Sequence, residues 1–215
     1  MRYPTVLFDL DGTLLDSVGG IASAVNLARE SFGLRALPLD LVRTFVGDGV
    51  DRLIERSFED AGLCAEARAR YLSFYSQGMY DGTRVYPGVA EALAELEAAG
   101  CRMGVVTNKP GGSARKLLEH FGLARFLGAI LGGDNPHGLK PNPAPLLAAV
   151  RELNGEPARA LMVGDGPADV AGARGAGLAV CIVSYGIGDP AELRALNPDH
   201  EVASFADVPA IARGA

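Results

Sequence analysis

The 215-residue sequence is poor in cysteine, histidine, net positive charge and long apolar runs, and each shortage removes a class of protein. Its three cysteines, Cys64, Cys101 and Cys181, are far apart, odd in number and never paired as CxxC. Neither a disulfide framework nor a zinc site is predicted, and a reducing cytoplasm is the compartment that fits. No stretch approaches the ~20 apolar residues a membrane helix needs. The opening MRYPTVLFDLDGT has an apolar run of a few residues followed at once by acids, unlike the core of a signal peptide. The formal net charge is −6 and no lysine or arginine stripe offsets it, so nucleic acid is not an expected partner. A small anion would have to be met by a local cation or by aimed N–H donors. His120, His137 and His200 are scattered and read as structural or surface residues.

What is present is ordinary globular material. Hydrophobic residues make up 48% and charged residues 21%, and the length suits one core with a smaller appended unit. Consecutive apolar residues at Thr5-Val6-Leu7-Phe8, Met103–Val106, Ala129–Leu131, Leu161–Val163 and Ala179–Val183 suit strands buried on both faces of a parallel sheet. Helical periods separate them. One runs through Val89, Ala92, Leu93 and Leu96 to Gly100, a second through Ala114, Leu117, Leu118 and Phe121 to Gly122, and a third starts near Pro143. The alternation predicts an α/β class. Between Asp16 and Arg84 strand signals vanish. Helical patterns such as Ile21, Ala24, Val25, Ala28, Phe32 and Val50, Leu53, Ile54, Phe58 replace them, so an all-helical insertion able to act as a lid is expected. Arg213-Gly214-Ala215 is expected to fray.

Ligands of open parallel sheets bind beyond the carboxyl ends of the strands, so polar residues directly after apolar runs have priority. Four such places occur: Asp9 and Asp11 in FDLDGT, Thr107-Asn108 in VVTN, Lys140 after the third run, and Asp165 and Asp169 in GDGPAD. Several carboxylates brought together need protons or a cation to compensate them. With oxygen ligands and no cysteine or histidine nearby, Mg2+ is the expected ion, and it takes a phosphate oxygen readily. Asp9 and Asp11 can both face the crevice while Leu10 points back, so one can attack phosphorus and form an acyl phosphate while the other handles protons. Gly12 turns the chain, and Gly12 and Thr13 join the substrate-binding candidates. The Thr107 hydroxyl and the N–H groups of Asn108 and the turn after it, at an expected helix N-terminus, suit a phosphoryl oxygen. Lys140 supplies positive charge to the transferring group. Taken singly, the aspartates could cap helices and Lys140 could be a solvated loop lysine; the whole constellation is poorly explained that way.

FDLDGTLLDS, VVTN, LKP and GDGPAD resemble, in order and spacing, the four motifs of the haloacid dehalogenase superfamily. The resemblance implies a doubly wound parallel sheet, Rossmann-like, formed by residues 1–15 and 85–215 with a helical cap at 16–84. It implies Asp9 as nucleophile, Asp11 as general acid/base, and Thr107 and Lys140 as phosphoryl binders. Magnesium would be held by Asp9, the Asp11 backbone carbonyl and Asp165, with Asp169 acting through water or from behind the ligands. Asp11 separates the chain from the dehalogenase branch, which lacks a second aspartate. TFVGDGVDRLIERSF, VTNKP and GGDNPHGLKPNPAPLL are similar to bacterial phosphoglycolate phosphatases, which implies 2-phosphoglycolate as substrate. Gly166 departs from the serine or threonine of many relatives.

In the helical insertion, Gly47-Asp48-Gly49 precedes a helix whose free N–H groups could receive a substrate carboxylate, with Arg43 close by in sequence. An ordinary turn beside a solvated arginine is the alternative, and a surface role is favoured for Arg174. The expected partner is a small anionic phosphorylated metabolite, and the expected assembly a monomer or homodimer. Rival activities are those of an inorganic pyrophosphatase, another sugar or nucleotide phosphatase, or a phosphoglucomutase-like enzyme. A receiver-like phospho-acceptor module or an inactive binding protein would be rivals of another class.

Overall fold

In the computed structural model, which describes residues 1–214, the first apolar run is strand β1 (Thr5–Phe8), buried along its whole length at the middle of the sheet. The flanking runs become β4 (Arg102–Val106), β5 (Ala129–Leu131), β6 (Ala160–Gly164) and β7 (Ala179–Val183). With β8 (His200–Val202) they form a six-stranded sheet in the order β5-β4-β1-β6-β7-β8, every neighbouring pair parallel. The order reverses beside β1, which places the carboxyl ends of β1, β4 and β6 around one crevice. β8 is absent from the expectation because His200-Glu201-Val202 has no apolar run; at the sheet edge it needs none.

Helices α5 (Val89–Ala98), α6 (Gly111–His120), α7 (Ala144–Glu152), α8 (Pro167–Ala176), α9 (Pro190–Ala195) and α10 (Val208–Arg213) cover the sheet. The pleat divides the core between its two faces: Val6 and Phe8 pack into one apolar cluster, and Leu7 into the other with Val106, Leu146 and Met162. Arg213 ends α10 in an ion pair with Glu95, and the Gly214 N–H bonds back to Ala210 and Ile211. Neither frays as expected, and Ala215 lies outside the described residues.

Between β1 and α5 the chain leaves the sheet through β2 (Leu15–Asp16) and returns through β3 (Arg84–Val85), which pair antiparallel. Among the described residues between them, regular structure is helical: α1 (Val18–Glu30), α2 (Leu39–Arg43), α3 (Val50–Ser57) and α4 (Cys64–Gly78), with a short 3-10 turn at Ala61–Leu63. Ile21, Val25, Leu53, Tyr71 and Tyr75 of these helices share the apolar cluster that holds Val6 and Phe8, so the insertion rests on one face of the sheet. Among the described residues no helix is long and apolar enough to cross a membrane.

Candidate active site

β1 ends directly in Asp9, β4 in Thr107 and β6 in Asp165, so the parallel register itself brings three of the four motifs to one edge. Asp169 arrives one turn into α8, where its Oδ2 accepts the Gly166 N–H at 3.0 Å and ties the carboxylate to the helix start. Carboxylate oxygens of Asp9, Asp165 and Asp169 lie within 4.8 Å of one another. Lys140 reaches in from the loop before α7. Its ammonium, 2% exposed, lies 2.8 Å from Asp9 Oδ1, 2.7 Å from Asp169 Oδ1 and 2.6 Å from the Val106 carbonyl. Burial alone would push Lys140 down, but the carboxylates of Asp169 and Asp9 outweigh it and hold the ammonium above its ordinary range.

That single ammonium does not compensate three acids. Burial pushes Asp9 up to about 6, Lys140 opposing and Asp169 adding to the shift. Burial and the charges of Asp9 and Asp169 push Asp165 up to about 8, against donated bonds from the Ile187 N–H at 2.8 Å and Thr13 Oγ1 at 2.7 Å. Asp9 Oδ1 is buried without a well-aligned donor, because Lys140 directs its hydrogen bonds at Val106 and Asp169. An all-oxygen cluster with excess negative charge and an unsatisfied oxygen can hold a hard divalent cation.

Both carboxyls titrate higher folded than unfolded, where the ordinary value is 3.8, so their contribution is intact at low pH and is lost as pH rises toward about 8. The melting temperature in EDTA is expected to fall between pH 5 and pH 8, and a divalent cation is expected to flatten that slope by its larger stabilisation at pH 8. Calorimetry with and without the cation measures both. A melting temperature that rises across the same range in EDTA would contradict the clustering of these acids.

Close packing holds the acids in place. Gly12 has φ +88°, and a Cβ there would meet Asp165 Oδ2 at 2.1 Å. After β7, Gly186 presses as closely on the other side, where a Cβ would meet the Asp165 Cβ at 2.3 Å. The Tyr185 hydroxyl donates to the Thr13 carbonyl at 2.7 Å.

Comparison with known proteins gives the family. The family model for haloacid dehalogenase-like hydrolases matches residues 6–183. The chain belongs to that family. Among its relatives, the phosphoglycolate phosphatase of Rhodospirillum rubrum is 42% identical over 214 residues, covering 94% of this chain and 89% of that protein. A plasmid-encoded phosphoglycolate phosphatase of Cupriavidus necator is 39% identical, covering 96% and 91%. A crystal structure of a predicted phosphoglycolate phosphatase from Haemophilus somnus superposes with a TM-score of 0.93 at 30% identity, covering 98% of both chains.

On this haloacid dehalogenase-like framework Asn108 departs from its expected position, and Asp11, Thr107 and Arg174 are held by partners distant from them or unnamed in the sequence pattern. The carboxylate of Asp11 stands apart from the acid cluster: Lys109 Nζ donates to both its oxygens at 3.0 Å and Ser17 Oγ to Oδ1 at 2.5 Å. Asn108 is not at a helix N-terminus, because Pro110 delays α6 until Gly111. Its side chain is a brace, with Nδ2 donating to the Gly47 and Lys140 carbonyls, both at 3.0 Å, and Oδ1 accepting the Lys140 N–H at 2.9 Å. The Thr107 hydroxyl is buried and accepts the Lys109 N–H at 3.2 Å. Arg174 is exposed and pairs with Asp199 at 2.7 Å.

Arg43, Gly47 and Gly49 do reach the site. A cavity of about 470 Å³ is lined by Asp9, Asp11, Lys140, Asp165 and Asp169 on one side and by Arg43, Gly47 and Arg56 of the insertion on the other. Gly49 lines a smaller space beside it, together with Asp9, Asp11, Tyr75 and Lys109. Arg56 is held by Asp48 at 2.6 Å. Lys109, Ser17, Arg56 and the Gly186-Ile187-Gly188 loop escape sequence reasoning. For Lys109 the sequence signal is its place in VTNKP, directly after VVTN.

Proposed function

We propose that the chain is a magnesium-dependent phosphatase acting on a small anionic phosphate monoester, 2-phosphoglycolate first, through an aspartyl phosphate on Asp9. The observation that carries the reading is Lys140 buried against Asp9 and Asp169, in an acid cluster that opens on a cavity also lined by Arg43. A volume of about 470 Å³ is of the size that holds small metabolites. The relatives' names favour phosphoglycolate among such esters, and the three unpaired cysteines favour a cytoplasmic setting.

Asp9, Asp165, Asp169 and the Asp11 backbone carbonyl would hold or support the magnesium, whose chemistry when bound is to neutralise charge on the phosphoryl oxygens. Asp9 attacks phosphorus, and Lys140, already within 2.8 Å of the nucleophile, steadies the charge that develops on the transferring group. The Thr107 hydroxyl orients a phosphoryl oxygen. Asp11 gives a proton to the leaving alkoxide and later takes one from the water that cleaves the acyl phosphate. Residues 16–84 act as the cap. With Asn108 bonded to the Gly47 carbonyl, the insertion is latched over the site and bulk water is kept from the acyl phosphate.

The test is phosphate release with magnesium from phosphoglycolate, pyrophosphate, sugar phosphates and nucleotides. Phosphoglycolate is expected to give the largest kcat/KM. For Arg43→Ala the expected change is a rise of about tenfold in KM for phosphoglycolate, with a much smaller change for a phosphate ester lacking the carboxylate. Turnover on none of the panel would overturn the phosphatase reading, and preference for pyrophosphate or a sugar phosphate would overturn the substrate. An unchanged KM in Arg43→Ala would remove Arg43 from recognition.

A further inference from the structure

Lys109 has no part in the chemistry described above, yet it is one of the most deeply committed side chains near it. Its side chain is 4% exposed, and its ammonium bridges both oxygens of Asp11, a residue 98 positions away in the chain. Its ceiling is aromatic: the Tyr75 ring centroid lies 4.6 Å from Nζ, and Tyr71 stacks on Tyr75, both rings coming from α4. Ser17 completes the clamp. It stands at the N-cap of α1 but makes no capping bond, and its hydroxyl donates to Asp11 instead.

We infer that Lys109, assisted by Ser17, is a positioning residue that fixes the Asp11 carboxylate as a hydrogen-bond acceptor for the second half of the reaction. The inference rests on the phosphatase reading above. In that half-reaction a water oxygen bonds to phosphorus while its proton passes to Asp11. The bond from phosphorus to the Asp9 oxygen breaks, its electron pair returns to the Asp9 carboxylate, and inorganic phosphate departs. A carboxylate able to rotate would meet the water in few of its orientations. Three donated bonds, two from Lys109 and one from Ser17, leave the Asp11 carboxylate one orientation. Lys109 acts on the step through Asp11, to which its ammonium is bonded.

Acetyl phosphate with magnesium isolates the step. Acetate leaves without a proton, so phosphorylation of Asp9 does not call on Asp11, whereas hydrolysis of the acyl phosphate does. In Lys109→Gln, kcat is expected to fall at least about tenfold while kcat/KM stays within about twofold, so that KM falls with kcat. Lys109→Arg is expected to recover most of kcat, and Ser17→Ala to show the same split at about threefold. If kcat and kcat/KM fall together, or neither moves, the inference is wrong. Thermal unfolding identifies a Lys109→Gln protein that has not folded, in which case Ser17→Ala carries the test with the same two outcomes. Asp11→Asn separates the two levels of failure. If it lacks the split, the assignment of Asp11 as base fails; if it shows the split and the folded Lys109→Gln and Ser17→Ala proteins do not, only the positioning role fails.

Discussion

Asp9→Asn is expected to reduce magnesium-dependent phosphate release by about 10⁴-fold or more while leaving the protein folded. An amide cannot form the acyl phosphate, and no other acid of the cluster can substitute. Asp165 is held by Thr13 and Ile187, and Asp169 by Lys140 and the start of α8. The stability outcome separates chemistry from collapse. Burial makes ionised Asp9 unfavourable, as its rise to about 6 records, and Lys140 keeps Asp169 as partner after the substitution. At pH 8 in EDTA the variant is therefore expected to melt no lower than wild type, and its melting temperature is expected to respond less to magnesium. Retention of activity within tenfold would dismiss Asp9 as nucleophile. A large drop in melting temperature would leave loss of activity explained by unfolding, and the argument for a strained acid cluster would fall with it.

The sheet was legible because central parallel strands are covered on both faces and must be apolar at consecutive positions, a pattern short enough to count by eye. Thr5–Phe8 and Ala179–Val183 meet that condition, and the pattern alone places the polar residues that follow such runs at one edge. His200–Val202 lies at the sheet edge, where one side of the strand lacks a neighbour, so its sequence carries no such signature. Asn108 stands outside the helix for a local reason: the residue before a proline is pushed out of the helical region, so α6 cannot extend back through Lys109 and starts at Gly111.

Lys109 illustrates a different limit. A lysine before a proline in a loop is read most naturally as solvated, and neither Asp11 nor Tyr75 is close to it in the chain. Tyr71 and Tyr75 share one face of α4 and look like core residues, which they also are; only the fold shows that this core ends on an ammonium. Ser17 stands at the N-cap of α1, where a hydroxyl ordinarily caps the helix, and it bonds Asp11 instead. Asp9, Thr107 and Asp165 are readable because each directly follows a strand end. The residues that orient them come from any element that packs there, and pairwise packing over such separations leaves little trace in a single sequence.

Lys140→Met is expected to have the largest effect on stability of any single substitution in the site. The ammonium is buried between Asp9 and Asp169, and an apolar replacement leaves both carboxylates, with Asp165 beside them, without their cation. Removing one partner of a buried ion pair costs about 3–5 kcal/mol. For a chain of this size, with about 2–4 °C lost per kcal/mol, the melting temperature in EDTA should fall by roughly 10 °C at pH 8. The loss should shrink toward pH 5, because Asp165 and then Asp9 take up protons on the way down and the orphaned charge disappears. Magnesium should recover part of it at pH 8 by supplying positive charge to the same oxygens. Phosphate release should fall by at least about 10²-fold even in the rescued protein, since a cation among the aspartates does not replace the ammonium aimed at the phosphoryl group. Thermal unfolding of the variant at pH 5 and pH 8, with and without magnesium, reads all of these terms. A loss of stability equal at the two pH values would mean that Lys140 serves as packing and not as the counter-charge of the acid cluster.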